Sequence, residues 1–359
     1  MDNMTVYTRV GNQGQEIYAF TFACSQSVAK EDISITGNLL DTSIDCFLAM
    51  QTGRLAEGIR EVRWAEGILR VEVAPFSFQA HYTLKIGSET FTAADSVETR
   101  TLWADDFVPL ERDGILYRLY QPSGEGPRPL ILFLHGGGEG GQDNWKQLVG
   151  CFGPTFLAEQ YPDCYVMAPQ ADRAEPTPEQ LEAFRRQTFY HSWNMTGWDR
   201  ETLSRICGII RGMIAQGAVN PKRVYVTGLS MGGGGTLRAM NVGADLFAAA
   251  VPVCPTMTPE TYHILCGLTH AKIWIAASYI DHTLYRHKYL VDGILALRDA
   301  GNRDAHLTLF SPEELAEYGI GVIPDMPLDA LFGWNHTCWI PTYHDEKGIM
   351  SWMLNQVRE

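Results

Sequence analysis

The sequence predicts an α/β domain, with a mainly parallel sheet flanked by helices, preceded by a small β-sandwich domain. Up to about residue 104, short segments alternate apolar and polar residues, which is typical of strands with one buried face. Beyond that point, nearly continuous apolar segments alternate with helical patterns, as in a parallel sheet covered by helices. We therefore predict two domains, residues 1–104 and residues 105–359.

The alternating segments of the first domain are EIYAFTF, ILRVEVA and FQAHYTLKI. Turn-like clusters separate them, and no convincing long helix interrupts them, which favours a β-sandwich. The side chains predicted on their buried faces are Tyr18, Phe20 and Phe22, then Leu69, Val71 and Val73, then Phe78, Ala80, Tyr82, Leu84 and Ile86.

The predicted strands of the second domain are PLILFLHGGG, CYVMAPQ, VYVTGLS, FAAAVPV, KIWIAAS and HLTLF. Helical patterns lie between several of them, as a parallel sheet requires. One connection, residues 171–198, is long for a compact α/β unit. Two interpretations of it stay open, a lid or binding loop and a surface excursion with a short helix of its own.

Composition excludes several classes of protein. The formal net charge of −14 and the pI of about 5.2 disfavour nucleic acid and anionic membranes as partners. The eight cysteines form no C-x-x-C pair, so no zinc or redox motif is indicated, and we expect reduced thiols in the cytoplasm. No secretory signal is apparent at the N-terminus. We predict no cofactor and no metal, since His282 and His287 lack the i, i+4 spacing of a helical metal site.

The segment from Gly228 to Gly232 matches the pattern G-x-S-x-G, with Ser230 at its centre. A predicted strand precedes it and a predicted helix follows it, which is the setting of the nucleophile elbow in the α/β-hydrolase fold. A sharp turn there exposes the serine hydroxyl at the end of the strand, beside the N–H groups of the helix N-terminus. We therefore predict an α/β-hydrolase fold for the second domain, with Ser230 as nucleophile.

An earlier apolar strand ends in a glycine-rich segment, His135 to Gly138. In this fold, the loop after that strand supplies one backbone N–H of the oxyanion hole, and the residue after the nucleophile supplies the other. The sequence predicts Met231, Gly137 and Gly138 as the oxyanion-hole residues.

The acid and the base follow the nucleophile in the order Asp or Glu, then His. Asp281 is the first carboxylate after the strand KIWIAAS, whereas Asp292 lies in a helical pattern and Asp304 in a turn. His336 lies in a loop ahead of the last helix, and His344 is its rival. We predict Asp281 and His336 as the partners of Ser230.

Four segments resemble bacterial esterases related to the polyhydroxybutyrate depolymerases and to the prolyl-oligopeptidase-like group. They are LFLHGGGEGGQDNWKQL, PKRVYVTGLSMGGGGT, KIWIAASYID and HTCWIPTYHDE, and the resemblance covers about residues 105–359. It implies that Asp281 and His336 are the catalytic acid and histidine. It also implies carboxylesterase activity on short-chain, feruloyl or acetyl-xylan esters, and an immunoglobulin-like first domain of the kind that some of these esterases carry. The segment HGGGEGG lacks the arginine of the esterase pattern, a difference that bears on substrate preference.

Aromatic residues accumulate near the predicted site loops and could stack on sugar or phenolic rings. They are Tyr190, Trp193, Trp198, Trp334 and Trp339, of which Trp193, Trp334 and Trp339 are predicted to bind substrate. Ordinary packing is the alternative interpretation.

The predicted partner is a small-molecule or oligosaccharide ester, and a homo-oligomer stays open. Three other functions also stay open. They are a serine peptidase, a noncatalytic binding protein on a hydrolase scaffold, and a carbohydrate-binding or oligomerisation role for the first domain.

Overall fold

The computed structural model divides the chain into two compact units. The first comprises Met1–Asp106 and Val149–Thr155, and the second comprises Phe107–Leu148 and Phe156–Glu359. The structure describes residues 1–12, 14–38, 58–172, 198–279, 281, 286–318 and 336–359.

The first unit is built from two small sheets. Its strands are β1 (Asp2–Gly11), β2 (Gly14–Ala23), β3 (Ile33–Asn38), β4 (Ile59–Ala65), β5 (Ile68–Ser77), β6 (His81–Ile86), β7 (Glu89–Phe91) and β8 (Ser96–Thr101). One sheet has the order β4-β5-β2-β1-β8 and the other the order β3-β6-β7. All neighbours are antiparallel except β1 and β8. The apolar faces of both sheets form one core, as in a small β-sandwich.

Two residues predicted on the buried faces of the first unit lie elsewhere. Tyr18 is half-buried while its neighbours Ile17 and Ala19 are buried, because the pairing of β2 with β5 shifts register between Ile17 and Ala19. Such a β-bulge changes which side chains face the core. Phe78 is exposed because it lies in the turn before β6, which is closed by the hydrogen bond from the Ala80 N–H to the Ser77 carbonyl.

The second unit contains an eight-stranded sheet with helices. Its strands are β9 (Val108–Arg112), β10 (Ile115–Tyr120), β11 (Arg128–Leu134), β12 (Tyr165–Gln170), β13 (Val219–Leu229), β14 (Ala249–Val253), β15 (Ile273–Ser278) and β16 (Ala305–Phe310). Its helices are α1 (Lys146–Val149), α2 (Pro154–Gln160), α3 (Arg200–Ala215), α4 (Met231–Val242), α5 (Pro259–Gly267), α6 (Arg286–Asp299), α7 (Pro312–Ala316), α8 (Trp339–Tyr343) and α9 (Ile349–Asn355). Val149 at the end of α1 and the first two residues of α2, Pro154 and Thr155, belong to the first unit.

The sheet order is β16-β15-β14-β13-β11-β12-β10-β9. Strands β11 to β16 pair in parallel, and β9 and β10 pair antiparallel at one edge. The central strands are buried almost throughout, which explains why their sequences are apolar runs rather than alternations. Because parallel strands end at the same edge of the sheet, the residues that follow β11, β13 and β15 come close together.

Candidate active site

Ser230 lies on the sharp turn between β13 and α4, with φ of 56° and ψ of −113°. This is a strained conformation for a residue with a side chain. It persists because the surroundings fix the backbone: the Ser230 N–H donates to the Val253 carbonyl at 3.0 Å, and the Thr256 N–H donates to the Ser230 carbonyl at 2.9 Å. The turn therefore presents the hydroxyl in a set direction.

The glycines around Ser230 allow the elbow to pack closely on the neighbouring strand β11. A Cβ on Gly228 would lie 2.5 Å from the Leu134 carbonyl oxygen, and one on Gly232 would overlap the same oxygen. Consecutive glycines are poor helix formers, yet α4 has four of them directly after Met231, because a Cβ at each would come closer than 3.0 Å to an atom of a neighbouring segment. The sequence GLSMGGGG thus reflects close backbone contact as well as turn geometry.

The structure brings Ser230, His336 and Asp281 together in one hydrogen-bonded series. The Ser230 Oγ lies 2.9 Å from the His336 Nε2, and the His336 Nδ1 lies 2.8 Å from the Asp281 Oδ2. Because a carboxylate can only accept, the Nδ1 carries the proton and the Nε2 is free to accept from the serine hydroxyl. His336 and Asp281 are both buried, at 3% and 1% exposure, so water does not compete for their contact.

The rival residues Asp292, Asp304 and His344 lie elsewhere, as does His306, another histidine of the second unit. Asp292 is exposed on α6, and Asp304 is exposed just ahead of β16. His306 lies on β16, where its ring packs against Trp274 and Trp352. His344 follows α8, and its ring stacks on that of Tyr318.

A second contact ties the histidine segment to the strand that carries the serine. Tyr343, at the end of α8, has its hydroxyl 3.2 Å from the Thr227 Oγ1, three residues before Ser230. The Thr227 hydroxyl itself donates to the Val251 carbonyl at 2.7 Å, so the tyrosine is the donor to Thr227. Sequence reasoning missed this pair, although Thr227 is a polar residue inside an otherwise apolar strand.

The glycine-rich loop after β11 is held by His135. The Ala171 N–H donates to the His135 Nε2 at 2.9 Å, so the Nδ1 carries the proton and donates to the Gly136 carbonyl at 2.6 Å. Burial lowers the pKa of His135 to about 4, which keeps the ring neutral near pH 7 and preserves this donor and acceptor pattern.

The bond to the Gly136 carbonyl has a geometric consequence for the next residue. In a trans peptide, the N–H of one residue points away from the carbonyl of the residue before it. Because His135 holds the Gly136 carbonyl on its own side, the Gly137 N–H points to the opposite side. The direction of the Gly137 N–H is thus fixed. Met231 is the first residue of α4, so its N–H is one of the helix N-terminal donors without a partner inside the helix. Gly138 is exposed, with open space around it.

Residues at the end of β12 form hydrogen bonds with the C-terminal part of the same loop, residues 139–144. The Gln170 side-chain amide donates to the Glu139 carbonyl at 3.1 Å and accepts from the Asn144 N–H at 2.6 Å. The Gly141 N–H donates to the Ala171 carbonyl at 2.9 Å. The signal that could have identified Gln170 is its position, directly after a buried strand at the edge where the site forms.

The aromatic residues predicted near the site have different outcomes. Trp339 is half-buried, and its ring stands perpendicular to that of His336, with the centroids 5.7 Å apart. Trp198 is fully buried and donates from its indole N–H to the His135 carbonyl at 3.0 Å, so the packing interpretation applies to it. Trp193 and Trp334, together with Tyr190 and most of residues 171–198, lie outside the described residues.

Within the described ranges, no group of three or more His, Cys, Asp and Glu side chains could hold a metal ion. In the same part of the chain, no helix is long and apolar enough to cross a membrane.

Comparison with known proteins gives two kinds of match. The model of the prolyl oligopeptidase family matches residues 183–291, a segment that includes Ser230 and Asp281 but not His336. Among solved structures, a thermostable esterase superposes with a TM-score of 0.70 at 21% identity, over 100% of both chains. S-formylglutathione hydrolase from Staphylococcus aureus superposes with a TM-score of 0.43 at 15% identity, over 69% of this chain and 96% of its own. The comparison with curated proteins finds no match.

The fold of the second unit is that of an α/β-hydrolase, and the class of protein that this fold and site define is a serine hydrolase.

Proposed function

We propose that the protein is a serine carboxylesterase in which Ser230 is the nucleophile, His336 the general base and Asp281 the group that orients the histidine. The observation that carries this proposal is the series of two hydrogen bonds from the Ser230 Oγ through His336 to Asp281, at 2.9 and 2.8 Å. The strained elbow at Ser230 supports it, because strain of this kind persists where function requires it.

In the proposed mechanism, the Ser230 oxygen attacks the carbonyl carbon of the ester while its proton passes to the His336 Nε2. The histidine then gives that proton to the departing alcohol oxygen as the ester C–O bond breaks. Asp281 stabilises the transient imidazolium. Water attacks the acyl-enzyme by the same route and releases the acid, which restores the Ser230 hydroxyl.

The negative charge on the carbonyl oxygen needs preorganised donors. We assign this role to the N–H groups of Met231 and Gly137, with Gly138 as a further donor. The fixed Gly136 carbonyl supports the assignment of Gly137, because it sets the direction of the next N–H. The position of Met231 at the start of α4 supports the other assignment.

The proposed substrates are short-chain or oligosaccharide-linked acyl esters, including feruloyl esters. The sequence resemblance to bacterial esterases supports this class. The fold shared with a thermostable esterase makes esters the first compounds to test. Trp339 lies beside His336, where an aromatic face could contact the alcohol or acyl group. Trp193 and Trp334 remain proposed substrate contacts.

A serine peptidase is the second candidate, because the matching family model is that of the prolyl oligopeptidases. The immunoglobulin-like nature of the first unit and a cytoplasmic location stay proposals. The scattered cysteines of the sequence, none of them in a C-x-x-C pair, support a reducing compartment.

The test is hydrolysis of p-nitrophenyl acetate, butyrate and octanoate and of methyl ferulate, beside a set of peptide p-nitroanilides. Wild type and Ser230→Ala are compared, with a fluorophosphonate probe to report the reactive serine. We expect ester hydrolysis and labelling that both disappear in Ser230→Ala. Cleavage confined to the anilides would favour the peptidase. An inert wild type that takes no label would favour a noncatalytic binding protein.

A further inference from the structure

The loop that carries the proposed oxyanion donors contains a buried acid that the mechanism above does not use. Glu139 ends the single turn of 3-10 helix at Gly137–Glu139, which is capped by Gly136. Its Oε2 is shielded from solvent and has no hydrogen-bond partner among the described residues, although the residue as a whole is half-buried. A buried carboxyl oxygen without a partner is costly, so its presence needs a reason.

The carboxyl group folds back over the first residue of the loop. A Cβ on Gly136 would lie 3.0 Å from the Glu139 Oε2 and 2.7 Å from the Leu229 Cδ1. Gly136 is therefore enclosed between the acid and Leu229, the residue before Ser230. The nearby backbone of Gly136 and Glu139 lowers the pKa of the carboxyl, but burial outweighs this effect and raises the pKa to about 7.

Two peptide planes lead into the oxyanion donor, and side chains reach both. The plane between Gly136 and Gly137 is held through its carbonyl by His135. The plane between His135 and Gly136 is held through its carbonyl by the indole N–H of Trp198, at 3.0 Å. Gly136 joins these two planes, and it is the residue over which the Glu139 carboxyl lies.

We infer that Glu139 is a positioning residue of the oxyanion loop, whose carboxyl packs against Gly136 on the side away from Leu229 and so helps to fix the direction of the Gly137 N–H. The inference rests on the proposed function, since the direction of this N–H matters only where an oxyanion forms. Glu139 itself does not touch the substrate.

The test compares Glu139→Ala, Glu139→Gln and wild type on p-nitrophenyl acetate, with rates expressed per active site titrated by a fluorophosphonate. Removal of a whole oxyanion donor costs roughly 100- to 1000-fold in kcat. A misdirected donor should cost less, so we expect Glu139→Ala to lower kcat by about 10- to 100-fold with KM within about threefold. Glu139→Gln keeps an acceptor oxygen and should stay within about fivefold of wild type.

Two further variants separate positioning from general damage. Trp198→Phe removes the donor to the His135 carbonyl, on the peptide plane that leads into Gly136, and should also lower kcat with little change in KM. Glu159→Ala alters an exposed glutamate on α2 and should leave kcat unchanged.

An unchanged kcat in Glu139→Ala, or an equal loss in Glu139→Ala and Glu139→Gln, would overturn the positioning role while an active wild type leaves the esterase proposal standing. A wild type without ester hydrolysis or labelling would overturn the proposed function, and the positioning role with it.

Discussion

In the first unit, apolar side chains fill the core and alternate with exposed ones, whereas the second unit buries His135, Gln170, Asp281 and His336 close to the ends of its strands. Tyr82 aside, the buried polar residues that the structure describes in the first unit are threonines, and Thr8 and Thr101 bond to each other. A buried polar group costs stability unless it is paired. The core of the first unit therefore stabilises the fold alone, whereas the core of the second unit also positions the polar groups of the candidate active site.

The largest effect should follow from the buried acid of the second unit. Asp281→Asn keeps the side-chain volume, but its amide can donate to the histidine and allow the wrong tautomer. We expect kcat for p-nitrophenyl acetate to fall by about 10⁴-fold, as expected for a serine hydrolase whose histidine loses its aspartate. The measurement is steady-state hydrolysis with the rate of fluorophosphonate labelling.

The matched control for that change is Asp292→Asn, which alters an exposed aspartate on α6 and should leave both rates unchanged. If both variants lost activity equally, the buried Asp281 carboxylate would have no catalytic role that the exposed Asp292 lacks, and this prediction would be wrong.

A smaller effect should follow from the apolar core of the first unit. Phe20 is fully buried, and its ring lies 5.4 Å from that of Tyr82. Phe20→Ala should lower the free energy of unfolding by about 3–5 kcal/mol, through lost burial and the cavity that remains. Urea unfolding followed by circular dichroism measures the change.

Val97→Ala is the control, because Val97 is 66% exposed on β8 and its truncation should cost less than about 0.5 kcal/mol. A Phe20→Ala variant as stable as Val97→Ala would show that this core does not stabilise the first unit by packing.

The sequence was sufficient for features that depend on neighbouring residues or on chain order. The strand, glycines and helix around Ser230 are contiguous in the sequence. The order of acid and histidine after the serine selected Asp281 and His336, and in the structure His336 lies within hydrogen-bonding distance of both Ser230 and Asp281. The α/β architecture of the second unit and the β-rich first unit followed from periodicity in the same way, and the structure confirms both.

Features that depend on long-range contacts were not predictable in this way. Trp198 donates to a carbonyl 63 positions away, and nothing in its local sequence distinguishes it from an aromatic that binds substrate. Glu139 has the charge of a surface residue, and its burial follows from the fold of the loop around Gly136. Tyr18 departs from its predicted face because a β-bulge adds a residue that alternation cannot anticipate.

The smallest effect should be on thermal stability, because burial of the Glu139 carboxyl in the oxyanion loop destabilises the fold when the carboxyl is ionised. Burial raises the pKa of Glu139 to about 7 from an ordinary value of 4.5. A carboxyl whose folded pKa is raised contributes stability below its unfolded pKa, and this contribution is lost as pH rises through 7. Glu139→Gln cannot ionise, so we expect its Tm to exceed that of wild type by about 2–5 °C at pH 8 and by almost nothing at pH 4.5. Thermal unfolding of both proteins across this range, beside the exposed control Glu159→Gln, measures the difference. A Tm difference that is constant with pH would mean that the Glu139 carboxyl is solvated. Glu139 would then not count among the buried polar groups that distinguish the second unit from the first.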